Sequence, residues 1–465
     1  MTPFQRPNSA AARDVRHQMH PYTNPVAHEA NGPMIVDRGE GVRVFDEDGK
    51  DYIEGLAGLW CTSLGFAAEE RVARVAYDQL RRLGFYHPFG GKAHTPGIDL
   101  AEALIAMAPV PMSKVLFCNS GSEANDTAIK LIRFYNNALG RPEKKKIISR
   151  TKAYHGVTVA SASLTGLPFN HRDFDLPMDG VLHTTCPHPY HFGAEGESPE
   201  DFATRCAEDL EALIQAEGPE TIAAFFAEPV MGAGGVIVPP PTYFEKIQAV
   251  LKRHDILFVV DEVICGFGRT GNAWGCQTFG LQPDMIACAK QMSSGYLPIA
   301  ALMLNERVYA PIRDNAGRIG MFGHGFTYGG HPVSCAVALE VLAIYKERDV
   351  FAHAAAVGPR LQQRLRGLAD HPLVGETRGV GLIGGVELSR DKAARRPFDP
   401  AQGVGPAMGL HLHARGIITR VIGDTVAFSP PLVITEEEID TMVDRVALAL
   451  DDTLAWCRAE GLLPA

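Results

Sequence analysis

Two apolar runs in the middle of the chain each end on a charge. ILFVV (256–260) closes on Asp261, with Glu262 beside it, and MIACA (285–289) closes on Lys290. Lysine and aspartate are seldom buried without a partner, because an unpaired charge in apolar surroundings is costly. An ion pair between Asp261 and Lys290 is one answer. The other is chemical: a lysine held among apolar groups has a depressed pKa and becomes a nucleophile toward carbonyls. Two further runs end in polar residues. KVLFC leads through Asn119 to Ser120, Gly121 and Ser122, where a strand turns into a helix. The free N–H groups and dipole of a helix start favour an anion there. KKIISR leads to Tyr154, His155 and Gly156. Ser122 reads equally as a simple helix cap, and Tyr154 as core packing or as a ring laid on a flat ligand.

One cofactor would use all four ends. Pyridoxal 5'-phosphate (PLP) needs a Schiff-base lysine, an acidic partner for its pyridine nitrogen and a seat for its phosphate. Lys290, Asp261 and Ser120–Ser122 supply these three. Each is weak alone, and the combination is specific.

These residues must be positioned by a sheet. KVLFCN (114–119), KKIISR (145–150), TIAAFFAEP (221–229), ILFVVDEV (256–263) and DMIACAK (284–290) read as strands. Amphipathic helical stretches over 122–137, 199–218 and 241–255 separate them. Continuous apolar strands alternating with helices predict a mostly parallel sheet covered on both faces, with ligands outside its carboxyl ends. The expected organisation is a large α/β domain over 62–330 and a smaller α+β domain built from 1–61 plus 331–465. In the smaller one, RVFDEDGKDYIEG predicts a hairpin at Asp48-Gly49, and Thr435 with Glu438 predicts a capping box opening the last helix.

Several other activities lack a basis. The net charge is −10, which argues against nucleic-acid binding. The basic run Lys144–Lys146 reads as a solvated loop before a strand. Nine cysteines with no CxxC spacing suggest neither a disulfide framework nor a metal site, and fit a reducing cytoplasm. No run approaches the length of a membrane helix. GFGRTG (266–271) and GVGLIG (379–384) match a dinucleotide-binding pattern, but neither is followed by an apolar-periodic helix.

The motifs NSGSEAND, AYHG, AEPVMGAGGVIVPP, VVDEVICGFGRTG, AKQMSSGYLP, HGFTYGGHP and ITRVIGDTVAFSPPL, in this order and spacing, resemble the class III aminotransferases. These are fold-type I PLP enzymes that include ω-amine and β-alanine transaminases, and the resemblance covers nearly the whole chain. It implies that Lys290 is the Schiff-base lysine and Asp261 the pyridine-nitrogen partner. Ser120, Gly121 and Ser122 look like the phosphate loop, Tyr154 with His155 the ring-stacking segment, Val263 the packing on the opposite face, and Glu228 a carboxylate near Asp261. Phe326 and Thr327 resemble the segment that reaches the phosphate in a neighbouring subunit, which implies a homodimer with shared sites, or a tetramer of such dimers.

The same resemblance implies a ping-pong reaction between an amine donor and a 2-oxo acid acceptor. Leu59, Trp60, Phe85, Tyr86 and Ala233 resemble the amine-pocket lining, and Arg420 the arginine that meets the acceptor carboxylate, for which its fork is suited. Pyruvate, giving alanine, is the expected acceptor. The alternatives are a β-alanine, taurine, GABA or polyamine transaminase of the same class, or a non-catalytic PLP-binding relative.

Overall fold

A computed structural model describes Arg6 and residues 8–463. Its largest sheet has seven strands, in the order Lys114–Cys118, Ala300–Leu304, Met285–Cys288, Leu257–Asp261, Ile222–Ala227, Lys146–Arg150 and Val181–Thr184. Ala300–Leu304 is antiparallel to both neighbours, and the other neighbouring pairs run parallel. The exception follows from its connection. Parallel strands need a crossover element between them, whereas residues 289–299 hold only a 3₁₀ turn at Lys290–Ser293.

Every residue of the four strands Ile222–Ala227, Leu257–Asp261, Met285–Cys288 and Ala300–Leu304 is buried. Alternation along each strand sends side chains to two cores. Phe225, Phe258, Val260 and Ile286 join Phe202, Leu210 and Ile247 of the helices Pro199–Glu217 and Tyr243–Arg253. Phe226, Val259, Met285 and Leu302 join Ala124, Ala128 and Ile132 of the helix Gly121–Ala138. Burial on both faces is why these strands read as unbroken apolar runs rather than as alternating ones.

The hairpin at Asp48-Gly49 is present, pairing Arg43–Asp46 with Asp51–Glu54. Asp51–Glu54 also pairs, in parallel, with Ile417–Ile418, so the beginning and the end of the chain share a four-stranded sheet. A second four-stranded sheet runs Val374–Val380, Ile383–Leu388, Thr425–Phe428, Arg420–Ile422. The last helix, Glu436–Ala459, opens with the expected capping box between Thr435 and Glu438.

The two glycine-rich motifs turn out to be one contact. A Cβ on Gly381, whose φ is +55°, would lie 2.4 Å from the carbonyl carbon of Thr270, and Leu382 N donates to Arg269 O at 3.0 Å. Glycine is required by close backbone approach between two loops, and no nucleotide is implied. The lysine run departs from its expected solvated loop. Lys146 begins a strand and pairs with Glu217, while Lys144 is buried with its amine donating to His254 O.

Candidate active site

The strand ends Cys118, Arg150, Ala227, Asp261 and Cys288 lie along one edge of the sheet, as the registers of neighbouring strands require. Just beyond that edge lies a cavity of about 460 Å³ lined by Lys290, Asp261, Glu228, Tyr154, His155, Gly121, Ser122, Val263, Ala233, Leu59, Trp60 and Arg420. Residues 361 positions apart, Leu59 and Arg420, thus reach one space.

Asp261 is fixed by three donors. Asn125 Nδ2 donates to Oδ2 at 2.7 Å, His155 Nδ1 donates to the same oxygen at 2.9 Å, and Val263 N donates to Oδ1 at 3.1 Å. Asn125 lies on the helix Gly121–Ala138 one turn beyond Ser122, so the same helix that starts at the cavity also holds the carboxylate. Glu228 accepts from Tyr154 N at 3.0 Å and from Gly232 N at 3.1 Å. Burial pushes its carboxyl upward, partly offset by His155 and reinforced by Asp261.

Lys290 stands differently. Its φ is +48°, a left-handed conformation that costs a non-glycine residue on the order of 1–3 kcal/mol and survives only when the surroundings enforce it. The next residue supplies the enforcement. Gln291 Nε2 donates to Ile264 O (2.6 Å) and Gly266 O (3.0 Å), its Oε1 accepts from Ser63, and its carbonyl accepts from Tyr345. Burial lowers the Lys290 pKa, and the Cys61 thiol and the carboxylates of Asp261 and Glu228 partly offset that. Among the described residues no ion pair reaches Lys290 Nζ, so the direct Asp261–Lys290 pair does not form. The amine faces the cavity instead.

A model of the family "Aminotransferase class-III" matches residues 26–450. The chain belongs to the class III aminotransferases. It is 50% identical to gamma aminobutyrate transaminase 3, chloroplastic, of Solanum lycopersicum, over 96% of this chain and 87% of that one. Among solved structures it resembles the omega transaminase from Pseudomonas jessenii in complex with PMP, with a TM-score of 0.95 and 55% identity over 96% of this chain and 99% of that one. A transaminase solved with L-alanine is 59% identical, with a TM-score of 0.90, over 91% of this chain and 100% of that one.

As a class III aminotransferase the protein has the fold-type I architecture and uses PLP. The residues present fit that cofactor. The 18-residue helix Gly121–Ala138 aims its free N–H groups at the cavity. Beside it Gly156, with φ +136°, packs its backbone tightly against the helix start: a Cβ there would lie 2.5 Å from Ser122 Oγ and 2.4 Å from Ser161 Oγ. Anchored carboxylate, unpaired amine and anion-receptive helix start therefore share one space.

Not every expected residue is there. Ser120 is exposed and caps the helix, accepting from Glu123 N at 3.2 Å, so the cap that the sequence allows at Ser122 lies two residues earlier. Phe85, Tyr86, Phe326 and Thr327 lie outside the cavity. Phe85 packs instead against Tyr328 and His331, with ring centroids 5.6 and 5.7 Å away, on an exposed aromatic surface. His155 lines the cavity but spends its Nδ1 on Asp261. Conversely, Pro21, Tyr22, Val157 and Ile264 line the cavity without having been expected. Asn125 had a readable signal, its i+3 spacing from Ser122 on one helix face. Pro21 and Tyr22 sit in a segment with no periodicity to read.

Proposed function

We propose that the enzyme transfers the amino group of a primary amine lacking an α-carboxylate to pyruvate, giving alanine, by a ping-pong mechanism. The observation that carries this reading is the unpaired Lys290 amine opening onto a cavity with largely apolar walls at Leu59, Trp60, Val263 and Ala233, with Arg420 the arginine on its lining. An apolar wall favours an amine with an uncharged body, and one arginine fork matches one carboxylate, that of the 2-oxo acid.

PLP, when bound, supplies the electron sink that makes the substrate's C–H bond acidic. Lys290 and Asp261 do the rest. Asp261, held by His155 and Asn125, keeps the ring nitrogen protonated. Lys290 Nζ, its proton affinity lowered by burial, takes the proton from the substrate carbon bearing the nitrogen and returns one to the cofactor. Ser122, Gly121 and Gly156 would hold the phosphate, Tyr154 and Val263 would pack against the ring, and Glu228 fixes the backbone of Tyr154.

The exposed Phe85, Tyr86 and Thr327, with the half-buried Phe326, support a homodimer in which these residues complete the other copy's pocket and phosphate seat. Residues 62–330 form the PLP-binding domain, and 1–61 with 331–465 the smaller one, a division supported by the pairing of Asp51–Glu54 with Ile417–Ile418. Residues 1–5, 7, 464 and 465 of that smaller domain lie outside the described ones. All nine cysteines are free, which favours a reducing cytoplasm; among the described residues no helix is long and apolar enough to cross a membrane.

A second reading has its own support. The gamma aminobutyrate transaminase of Solanum lycopersicum is 50% identical, and GABA also lacks an α-carboxylate, so Arg420 could meet its distal carboxylate. The purified holoenzyme, assayed with a benzylic amine, a straight-chain aliphatic amine, GABA and β-alanine against pyruvate and 2-oxoglutarate, decides between them. Turnover of the uncharged amines with pyruvate is expected. Turnover of GABA alone would replace the first reading by the second, activity confined to 2-oxoglutarate would overturn the amine:pyruvate reading, and activity confined to α-amino acids would overturn both.

A further inference from the structure

Two clusters of histidine and carboxylate lie outside the catalytic centre. In the first, His188 and His191 contact Glu376 and Glu387, but Arg378 already donates to both carboxylates at 2.6 Å. A metal ion there would have to expel a guanidinium. The second has no such occupant. Asp14 on the helix Ala10–His17, His20 on the connection and His28 on the helix Pro25–Asn31 bring their ligand atoms within 4.8 Å of one another. His20 Nε2 lies 2.9 and 3.0 Å from the two Asp14 oxygens, and His28 Nε2 lies 3.0 Å from Oδ2.

His28 is the informative member. Its side chain is only 9% exposed, yet its Nε2 is off the line of a hydrogen bond and has no hydrogen-bond partner among the described residues. A buried nitrogen aimed at a carboxylate oxygen already used by another imidazole lacks a group between them. Metal–ligand bonds of about 2.0–2.2 Å place neighbouring ligand atoms of a tetrahedral ion about 3.3–3.6 Å apart, so Asp14 and each histidine, now 2.9–3.0 Å apart, would part by a few tenths of an ångström around an ion. Two imidazoles and one carboxylate, with room for water, suit zinc and its first-row neighbours rather than calcium or magnesium. The site opens into a hollow of about 280 Å³, with room for such water.

We propose that Asp14, His20 and His28 bind one zinc-type divalent cation, contrary to the expectation of no metal, and that the ion braces the active-site mouth. Pro21 and Tyr22, immediately after His20, line the catalytic cavity. Tyr22 is anchored by Asn170, which donates to its hydroxyl at 2.7 Å, and Arg420 lies 5.7 Å from its ring centroid. An ion joining the two helices closes the loop that carries Tyr22, so its occupancy is linked to the wall of the pocket.

The test uses chelator-treated holoenzyme titrated with Co²⁺, read by the visible d–d bands of nitrogen- and oxygen-bound cobalt, followed by displacement with Zn²⁺ in calorimetry. One ion per chain is expected. His20→Ala, His28→Ala and Asp14→Asn should each weaken Zn²⁺ binding by more than about tenfold. Because a bound ion raises the melting temperature only where its site exists, Zn²⁺ should raise that of the wild type and not of the His20→Ala/His28→Ala double variant, each compared with its own ion-free form. Equal Zn²⁺ affinity in wild type and double variant, or no cobalt band in the wild type, would overturn the site whatever the enzyme's amine specificity.

Discussion

The floor of the cavity and its expected aromatic rim are built on different principles. The floor consists of strand ends: Asp261, Glu228 and Lys290 follow fully buried strands, and each is fixed by hydrogen bonds to itself or to its neighbour. It is complete within one chain. The rim residues Phe85, Tyr86, Phe326 and Thr327 belong to segments that meet each other on the surface, with Phe89 packed against Gly325 and Phe85 against Tyr328. They contribute nothing to the cavity of their own chain. The proposed chemistry is thus placed by the most deeply buried strands of the molecule, whereas the selectivity proposed for the rim rests on a surface outside its own cavity.

The comparison breaks most sharply at Lys290. Lys290→Ala removes the only amine on the floor, and transamination should fall by about 10⁴-fold or more, since no other side chain there can carry the proton. Single-turnover rates measured with a large excess of amine would show it; a loss below a hundredfold would mean the floor is not the reacting centre. Asp261→Asn keeps the shape and loses the charge. A fall of about 10²–10³-fold is expected, the scale for removing one preorganised electrostatic contact. It should appear in kcat and not in the acceptor's KM; the converse would place Asp261 in substrate binding.

The floor was legible in the sequence for the same reason it is rigid. A charge ending an unbroken apolar run is visible without knowing the fold, so Asp261 and Lys290 could be singled out along with the strands that carry them, while Glu228 is marked only by the family resemblance. What could not be read is what loops do. The left-handed backbone at Lys290, the service of His155 to the Asp261 carboxylate, and the arrival of Tyr22 at the cavity depend on contacts between distant segments. The helix start shows another limit: the sequence offers the alternative of cap or anion seat at Ser122, and the cap is made by Ser120, two residues earlier. The antiparallel strand Ala300–Leu304 was unread because AALML carries no mark of direction.

Arg420 sits between floor and rim, on the cavity wall beside Tyr22. Arg420→Ala should raise the KM for pyruvate about ten- to a hundredfold, the worth of a charge-assisted hydrogen bond, and leave the half-reaction with an uncharged amine within about twofold. Equal losses in both halves would make it structural. Thr327 tests the rim itself. If it serves the other copy's phosphate seat, chains carrying Lys290→Ala and chains carrying Thr327→Ala should complement when co-expressed. One site per hybrid dimer would then have both Lys290 and a partner's Thr327, restoring PLP affinity about tenfold over the Thr327→Ala homodimer. Absence of complementation would return Thr327 to its own chain.

The smallest expected effect lies behind the wall that joins floor and rim. Leu59 and Trp60 reach the cavity from a turn in which Ala57, Gly58 and Trp60 all have positive φ. Glu54 holds that turn, accepting from Gly58 N at 2.6 Å and from Leu56 N at 3.3 Å. Its pKa is pushed up from 4.5 to about 8, first by burial, with the two amides and the Arg269 guanidinium acting in the opposite direction. A pKa higher in the folded than in the unfolded chain means that the folded protein keeps the proton longer. Stability from this group is therefore present below about pH 4.5 and is lost as pH rises through about 8. Glu54→Gln has no proton to lose and keeps an acceptor for both amides. Its melting temperature relative to wild type should therefore rise across that window, while its activity with uncharged amines near the low end stays within about twofold. A difference independent of pH would show that Glu54 is ionised throughout, and that the wall carrying Trp60 is held by a charge, as the floor is, rather than by a neutral acid.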